Sequence, residues 1–277
     1  MSGHSKWSTI KRQKGVADIK RGQTFTKIAN AITIAARAGG SGDLNSNPRL
    51  RSALEEAKEV NMPKSNIQRA IDRGLGKLPG QTLEEVVYEG FGPGKVAFYI
   101  EGVSDNKLRT NQEIRNIFER VGGTLGGQGS TAYMFDKKGI IKVQSSKFKI
   151  KNEEEETLEL IDLGAEDIES FDEEEPHSAE VIDHEVQTEL ASRGKQRKYL
   201  VYVESPEINT MGTKITQAGY TVESSEITMK PNITVDIHEK ESAGKVLDFT
   251  GKLEEHDDIQ KVYANFEIPD SLINSNI

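Results

Sequence analysis

Seven cations crowd the first 27 residues: Lys6, Lys11, Arg12, Lys14, Lys20, Arg21 and Lys27. Among them stand His4 and the single tryptophan of the chain, Trp7. Cations at such intervals suit contact with successive phosphates of a polyanion, because each neutralised phosphate releases condensed counterions. A ring among them offers a stacking face, worth roughly 1–3 kcal/mol for an exposed base. The rival use of Trp7 is structural, a large apolar ring stapling the segment onto a core. Arg37 and Lys64 extend the basic character onward. The chemistry to expect is ionic recognition of nucleic acid by His4, Lys6, Trp7, Lys11, Arg12, Lys14, Lys20, Arg21, Lys27, Arg37 and Lys64. No helix carries base-reading side chains at a spacing that suits the major groove.

Nothing comparable points to catalysis. There is no cysteine, hence no thiol nucleophile and no thiolate metal site. The five histidines are scattered, and "HEKES" lacks the second histidine of a zinc-binding H-E-x-x-H helix. "EEHDD" (254–258) reads as a solvated helix end rather than a cation site. Two glycine-rich stretches, "EGFGPGK" (89–95) and "GGTLGGQGS" (122–130), miss the Walker spacing and do not run from strand to helix. They read as turns. A non-enzyme without metal or cofactor is the expectation.

The net charge of −9 conceals a division. Residues 1–79 hold 15 Lys and Arg against 6 Asp and Glu, whereas the remainder holds 21 against 39. Like-charge repulsion would therefore confine a polyanion to the N-terminal part. The acidic runs "EEEE" (153–156) and "DEEE" (172–175) read as solvated surface. The longest mostly apolar run, 28–40, is interrupted by Asn30, Thr33 and Arg37 and is too short to cross a bilayer. No apolar stretch follows the basic start, so no secretory signal is read. A soluble cytoplasmic protein is expected, away from membranes.

The elements follow from periodicity. Phe25, Ile28, Ile32 and Ala35/Ala36 make one helical stripe that stops at Gly39–Gly40. A second helix starts with Asn47 as cap and Pro48 at its first position, and a third is capped by Ser65 or Asn66. "GLGKLPGQ" (74–81) reads as a hinge. Four strand–helix–strand units then follow, and two such units make one ferredoxin-like sandwich. In the first, the strands are "VAFYIEGV" and "TAYMF" and the helix opens with a Thr110/Glu113 capping box. The expected class is α+β: an N-terminal three-helix domain (1–79) and two ferredoxin-like α/β sandwiches. One sandwich is discontinuous (80–135 plus 231–277) and the other, acidic, is inserted within it (136–230).

"GHSKW", "NPRLRSALEEAKEVNMPKSNIQRAIDRG", "YEGFGPGKVA", "VSDNKLRT", "GGTLGGQGSTAYMFDKKGII" and "LEEHDDIQKVYANFEIP" closely resemble the YebC/PmpR family, over nearly the whole chain. The resemblance implies a helical domain and two α/β domains, one interrupting the other, with "GHSKW" and "MPKSN" (62–66) in the functional helical part. It implies a probable transcriptional regulator that binds DNA in the cytoplasm. A second implication is a translation factor that binds ribosomal RNA or tRNA and relieves ribosomes stalled on proline-rich chains. Residues 172–198 depart from the family as an insertion, and the start lacks the presequence of an organellar member. A protein–protein interaction module is the reading of another class. A monomer is the expected state.

Overall fold

The computed structural model describes residues 17–44, 46–78, 82–145, 152–172, 197–269 and 272, without the side chains of 17–21 and 172. It divides into two compact units, a smaller one over 136–230 and a larger one from the described residues of 2–135 and 231–277. The helices α1 (Ala17–Gly39), α2 (Pro48–Glu59) and α3 (Lys64–Gly74) open the larger unit. There follow β1 (Glu84–Phe91), β2 (Ala97–Ser104), α4 (Lys107–Glu119) and β3 (Thr124–Leu125). The smaller unit is built from β4 (Phe135–Gln144), α5 (Glu153–Leu163), β5 (Asp167–Asp172), β6 (Arg197–Glu204), α6 (Ile208–Gln217) and β7 (Thr221–Pro231). The chain then completes the larger unit with β8 (Val235–Asp236), α7 (Lys240–Glu254), β9 (Ile259–Ala264) and β10 (Phe266–Glu267). The fold is α+β, as the sequence implies, with antiparallel pairing in the two four-stranded sheets and one short parallel pair. Most of the expected insertion lies outside the described residues.

The stripe read on α1 is the one that is buried. Ile28, Ile32, Ala35 and Ala36 pack against Leu50, Ala53 and Ala57 of α2 and Ala70 of α3, with Phe25 at their edge. Helix α3 starts earlier than its sequence suggests. Pro63, not Ser65 or Asn66, holds the cap position, and no side chain caps it. Asn61 explains the offset. Its left-handed φ of 54° reverses the chain behind α2, and the Met62 N–H returns to the Ala57 carbonyl at 2.9 Å. That closes α2 in two residues and leaves Pro63 free to begin the next helix at once.

In the smaller unit the strand order is β5-β6-β4-β7. Leu160 of α5 and Met211 and Ile215 of α6 cover Ile141, Val143, Tyr199, Val201 and Val203 on its sheet. This is the ferredoxin-like arrangement, two β-α-β halves with both helices on one face. In the larger unit the order is β3-β1-β2-β9. Position by position, β2, α4, β3, α7 and β9 match β4, α5, β5, α6 and β7, and β1 fills the place of β6. One inner strand therefore comes from ahead of the first β-α-β half, joined to β2 by the hairpin that closes at Phe91 and Ala97. This displaces two expected strands. "TAYMF" becomes a 3-10 turn over Ala132–Met134, and "NITVDI" pairs only through Val235–Asp236, parallel to β10.

The larger sandwich is centred on three rings. Phe249 of α7 meets Phe118 of α4 and Phe98 of β2 edge-to-face at 4.9 and 5.0 Å, a geometry worth about 0.5–1.5 kcal/mol beyond area burial. Gly92 follows from this packing, since a Cβ there would sit 2.7 Å from the Phe98 ring and 2.8 Å from the Phe249 ring.

Glu89 lies on the opposite face of β1 from the core residue Tyr88. It is 4% exposed and accepts the N–H groups of Gly129, Thr131 and Ala132 at 2.7, 2.7 and 2.8 Å. The Thr131 hydroxyl in turn donates to the Phe98 carbonyl at 2.9 Å. One carboxylate thus ties the second glycine-rich stretch to the sheet. Burial pulls its pKa upward, but the three amides and the Thr131 hydroxyl outweigh that and leave it below the ordinary value. Such a group stabilises the fold above its unfolded pKa, and the contribution is lost as pH falls through the native one. Glu89→Gln is therefore expected to cost about 2 kcal/mol at neutral pH. Urea unfolding should show the deficit shrinking below about pH 4.3, where the unfolded carboxyl takes up its proton. A deficit constant with pH would mean that shape, not charge, holds the loop.

Candidate nucleic-acid interface

His4, Lys6, Trp7, Lys11, Arg12 and Lys14 lie outside the described residues, as do the side chains of Lys20 and Arg21 in α1. The structure places the other three, and it divides them. Lys27 is half-buried and its ammonium donates to the Glu254 carbonyl at the end of α7. Arg37, also half-buried, donates through Nη1 to the Leu83 carbonyl just before β1. Gln23 adds a bond to the Glu255 carbonyl at 3.3 Å, and Ile34 packs with Leu83 and Val103. Lys27 and Arg37 thus fasten α1 to the sandwich.

Lys64 has a different setting. It is the exposed first residue of α3 and has no side-chain partner among the described residues. Lys58, Arg69 and Arg73 share both properties, and the two arginines, four residues apart, are neighbours on the helix surface. These three lie outside the set of cations that the sequence singles out. The signal is present: Lys58 falls off the Leu50–Ala53–Ala57 stripe of α2, and Arg69 and Arg73 fall off the Ile67–Ala70–Ile71 stripe of α3, so helices that pack those stripes must expose them. The nearest acid on α3, Asp72, is held by Gln68 at 3.1 Å and faces Lys77 at 3.6 Å.

Asn47 sets α2 against α1. Only 4% exposed, it accepts the Leu50 N–H at 3.0 Å and donates to the Ala35 carbonyl at 2.8 Å. The sequence points to the first bond alone.

A second polar cluster lies where α7 runs into β9. Thr110 is not a cap: Asn106 caps α4, and the buried Thr110 hydroxyl pairs with Ser104 at 2.7 Å and donates to Asp258 at 2.5 Å. Arg109 also binds Asp258 at 2.7 Å and pairs with Asp105 at 2.8 Å. His256 accepts the Asp258 N–H on Nδ1 at 3.1 Å, so its Nε2 carries the proton directed at Glu113, 3.1 Å away. Glu113, His256 and Asp258 stand close enough together to ligate a metal. Here the Arg109 guanidinium serves them as the cation. The "EEHDD" end is therefore a brace between α7 and α4 rather than a freely solvated turn.

The profile described as the TACO1/YebC protein N-terminal domain matches residues 5–77, and that of the TACO1/YebC second and third domain matches residues 83–266. The chain belongs to the TACO1/YebC family. A family protein of Persephonella marina, named "probable transcriptional regulatory protein", is 43% identical over 275 residues, covering 99% of this chain and 98% of its own. One of the same name from Thermotoga maritima is 43% identical over 271 residues, covering 98% and 95%. The crystal structure of a conserved hypothetical protein from Aquifex aeolicus matches with a TM-score of 0.71 at 38% identity, over 91% of this chain and 93% of that one. In this TACO1/YebC chain the N-terminal match ends three residues beyond α3, so the free cations of α2 and α3 and the fastening Lys27 and Arg37 all fall within it.

Two outcomes check this division of labour. Asn47→Ala is expected to lower stability by about 2 kcal/mol, a cap of about 1 plus about 1 for the lost hydrogen bond to the Ala35 carbonyl; thermal unfolding of the full chain measures it. Lys27→Met should lower the melting temperature yet leave the salt dependence of polyanion binding unchanged. A flattened salt dependence would make Lys27 a contact residue.

Proposed function

We propose that this protein is a non-enzymatic regulator of gene expression that binds nucleic acid through its helical domain. The supporting observation is the exposure of Lys58, Lys64, Arg69 and Arg73 without side-chain partners among the described residues, within residues 1–79, where 15 basic residues stand against 6 acidic ones. Fixed cations on a helix surface neutralise phosphates without base reading. The site works by position and charge, and no reacting group is required of it. Among the described residues no helix is long and apolar enough to cross a membrane.

Two targets have separate supports. The name carried by the relatives favours promoter DNA. The charge division favours ribosomal RNA and a role in translation. An acidic body of 39 Asp and Glu against 21 Lys and Arg repels a duplex running past it, whereas a local RNA feature needs to meet only the basic end.

The deciding experiment compares wild type with a Lys64→Glu/Arg69→Glu/Arg73→Glu variant in sucrose gradients of lysate and on immobilised promoter DNA. These side chains make no bonds among the described residues, so the melting temperature should hold while binding falls at least about tenfold. Co-sedimentation with ribosomal particles, lost in the variant, supports the RNA target. Salt-sensitive retention on DNA, lost in the variant, supports the DNA target. Binding that survives the reversal unchanged overturns the proposal in favour of a protein-interaction module.

A further inference from the structure

We propose that the larger α/β sandwich carries a second contact for a nucleic-acid strand, where its two glycine-rich loops meet and present Lys95 and Arg120 to the phosphate backbone. This rests on the nucleic-acid reading above and adds a site that the charge division alone would not suggest.

The loops are separate in sequence and joined in space. Residues 92–96 connect β1 to β2, and residues 122–127 leave α4 and pass through β3. A Cβ on Gly123 would lie 2.7 Å from the Phe91 carbonyl oxygen and 3.3 Å from the Gly92 Cα. The two loops therefore touch main chain to main chain.

Each loop contributes an exposed cation that the fold does not use. Lys95 has a φ of 61°, directly after Gly94 at 67°. A lysine in that left-handed region is strained. Its side chain is exposed and has no partner among the described residues, so nothing among them compensates for choosing lysine over glycine there. Arg120, the C-cap of α4, is likewise exposed and unpartnered among the described residues. Its neighbour Glu119 points about 100° away around the helix.

Two further observations suit a backbone that approaches closely. Gly127 is exposed, has no left-handed φ, and a Cβ on it would meet nothing within 4 Å. The fold does not require glycine there, whereas close approach by an outside chain does. Glu89, the carboxylate beside this loop, is turned inward onto three amides. It thereby fixes residues 129–132 without offering its charge to a phosphate. Neither loop runs from a strand into a helix, so the arrangement suits a passing strand and not a mononucleotide cradle.

The test measures binding of labelled polyuridylate to the full chain by fluorescence anisotropy across a potassium chloride series. Lys95→Gly/Arg120→Gln is compared with wild type and with the α3 charge-reversal variant. Because glycine tolerates the left-handed conformation, Lys95→Gly alone should keep or raise the melting temperature, so a binding loss is not a folding loss. The double variant should flatten the slope of log K against log salt by about 1.4, roughly 0.7 for each single-strand phosphate contact. A wild-type slope in the double variant, with the slope reduced in the α3 variant, overturns the second site and leaves the proposed function standing. Displacement of the strand by equimolar ATP overturns the strand assignment in favour of a mononucleotide. If wild type binds promoter DNA or ribosomal particles but not this strand, the second site falls and the proposed function stands; if it binds none of the three, both fall.

Discussion

The display of cations on α2 and α3 depends on how α1 is held. A helix ends with four carbonyls that lack intrahelical partners and carry the negative pole of the helix dipole. At the end of α7 one of these, that of Glu254, receives the ammonium of Lys27. The Leu83 carbonyl, ahead of β1, receives Arg37. Each bond satisfies a main-chain acceptor with a full charge, which makes it stronger than a neutral hydrogen bond. Ile34 packs beside the second of these bonds, against Leu83 and Val103. Helix α1 then fixes the others. Asn47 holds α2 through the Ala35 carbonyl, and the Thr33 hydroxyl holds α3 through the Ala70 carbonyl at 3.1 Å. The cations of α2 and α3 are thus presented from a frame anchored to the sandwich.

This separates two uses of positive charge that composition treats as one. Lys27 and Lys64 have the same side chain, and both fall in the basic segment. One points across the packed side of α1 toward a helix end, and the other begins a helix on its open side. Periodicity marked the apolar stripes well: the α1 stripe and the Asn47 cap are where the sequence indicates. It was silent on the flanks of those stripes, because a flank's surroundings depend on which distant element passes by. Glu254 is 227 residues from Lys27.

The same limit explains the missed strand. In β1, Val86 and Tyr88 alternate inward as a strand should, but the next inward position is Gly90. Glycine there reads as a loop until the Phe118 ring is seen against it, 2.8 Å from where a Cβ would lie. The acidic run of α5 misleads in the opposite direction. Four consecutive glutamates read as solvated, yet Glu156 is 2% exposed and accepts the Tyr199 hydroxyl at 2.5 Å and a bond from Ser145. A buried carboxylate is tolerable when hydrogen-bond donors surround it. Tyr199 lies 43 residues away across the described fold, and no local pattern announces it.

Glu89, Glu156 and Asp258 apply one device at three places, an inward carboxylate satisfied by amides, hydroxyls or a guanidinium. Carboxylates used this way add to the acidic count without projecting their full charge to solvent. Net charge is therefore a poor guide to what a polyanion meets. At physiological salt the field of an exposed charge fades over about 8 Å. A phosphate beside Arg69 and Arg73 responds to those two cations and the first shell around them, not to the chain total of −9. The distant acids act over a longer path. They oppose extension of a polyanion beyond the basic face, so the charge division limits how much of a nucleic acid the protein can cover while the local cations set how firmly it is held.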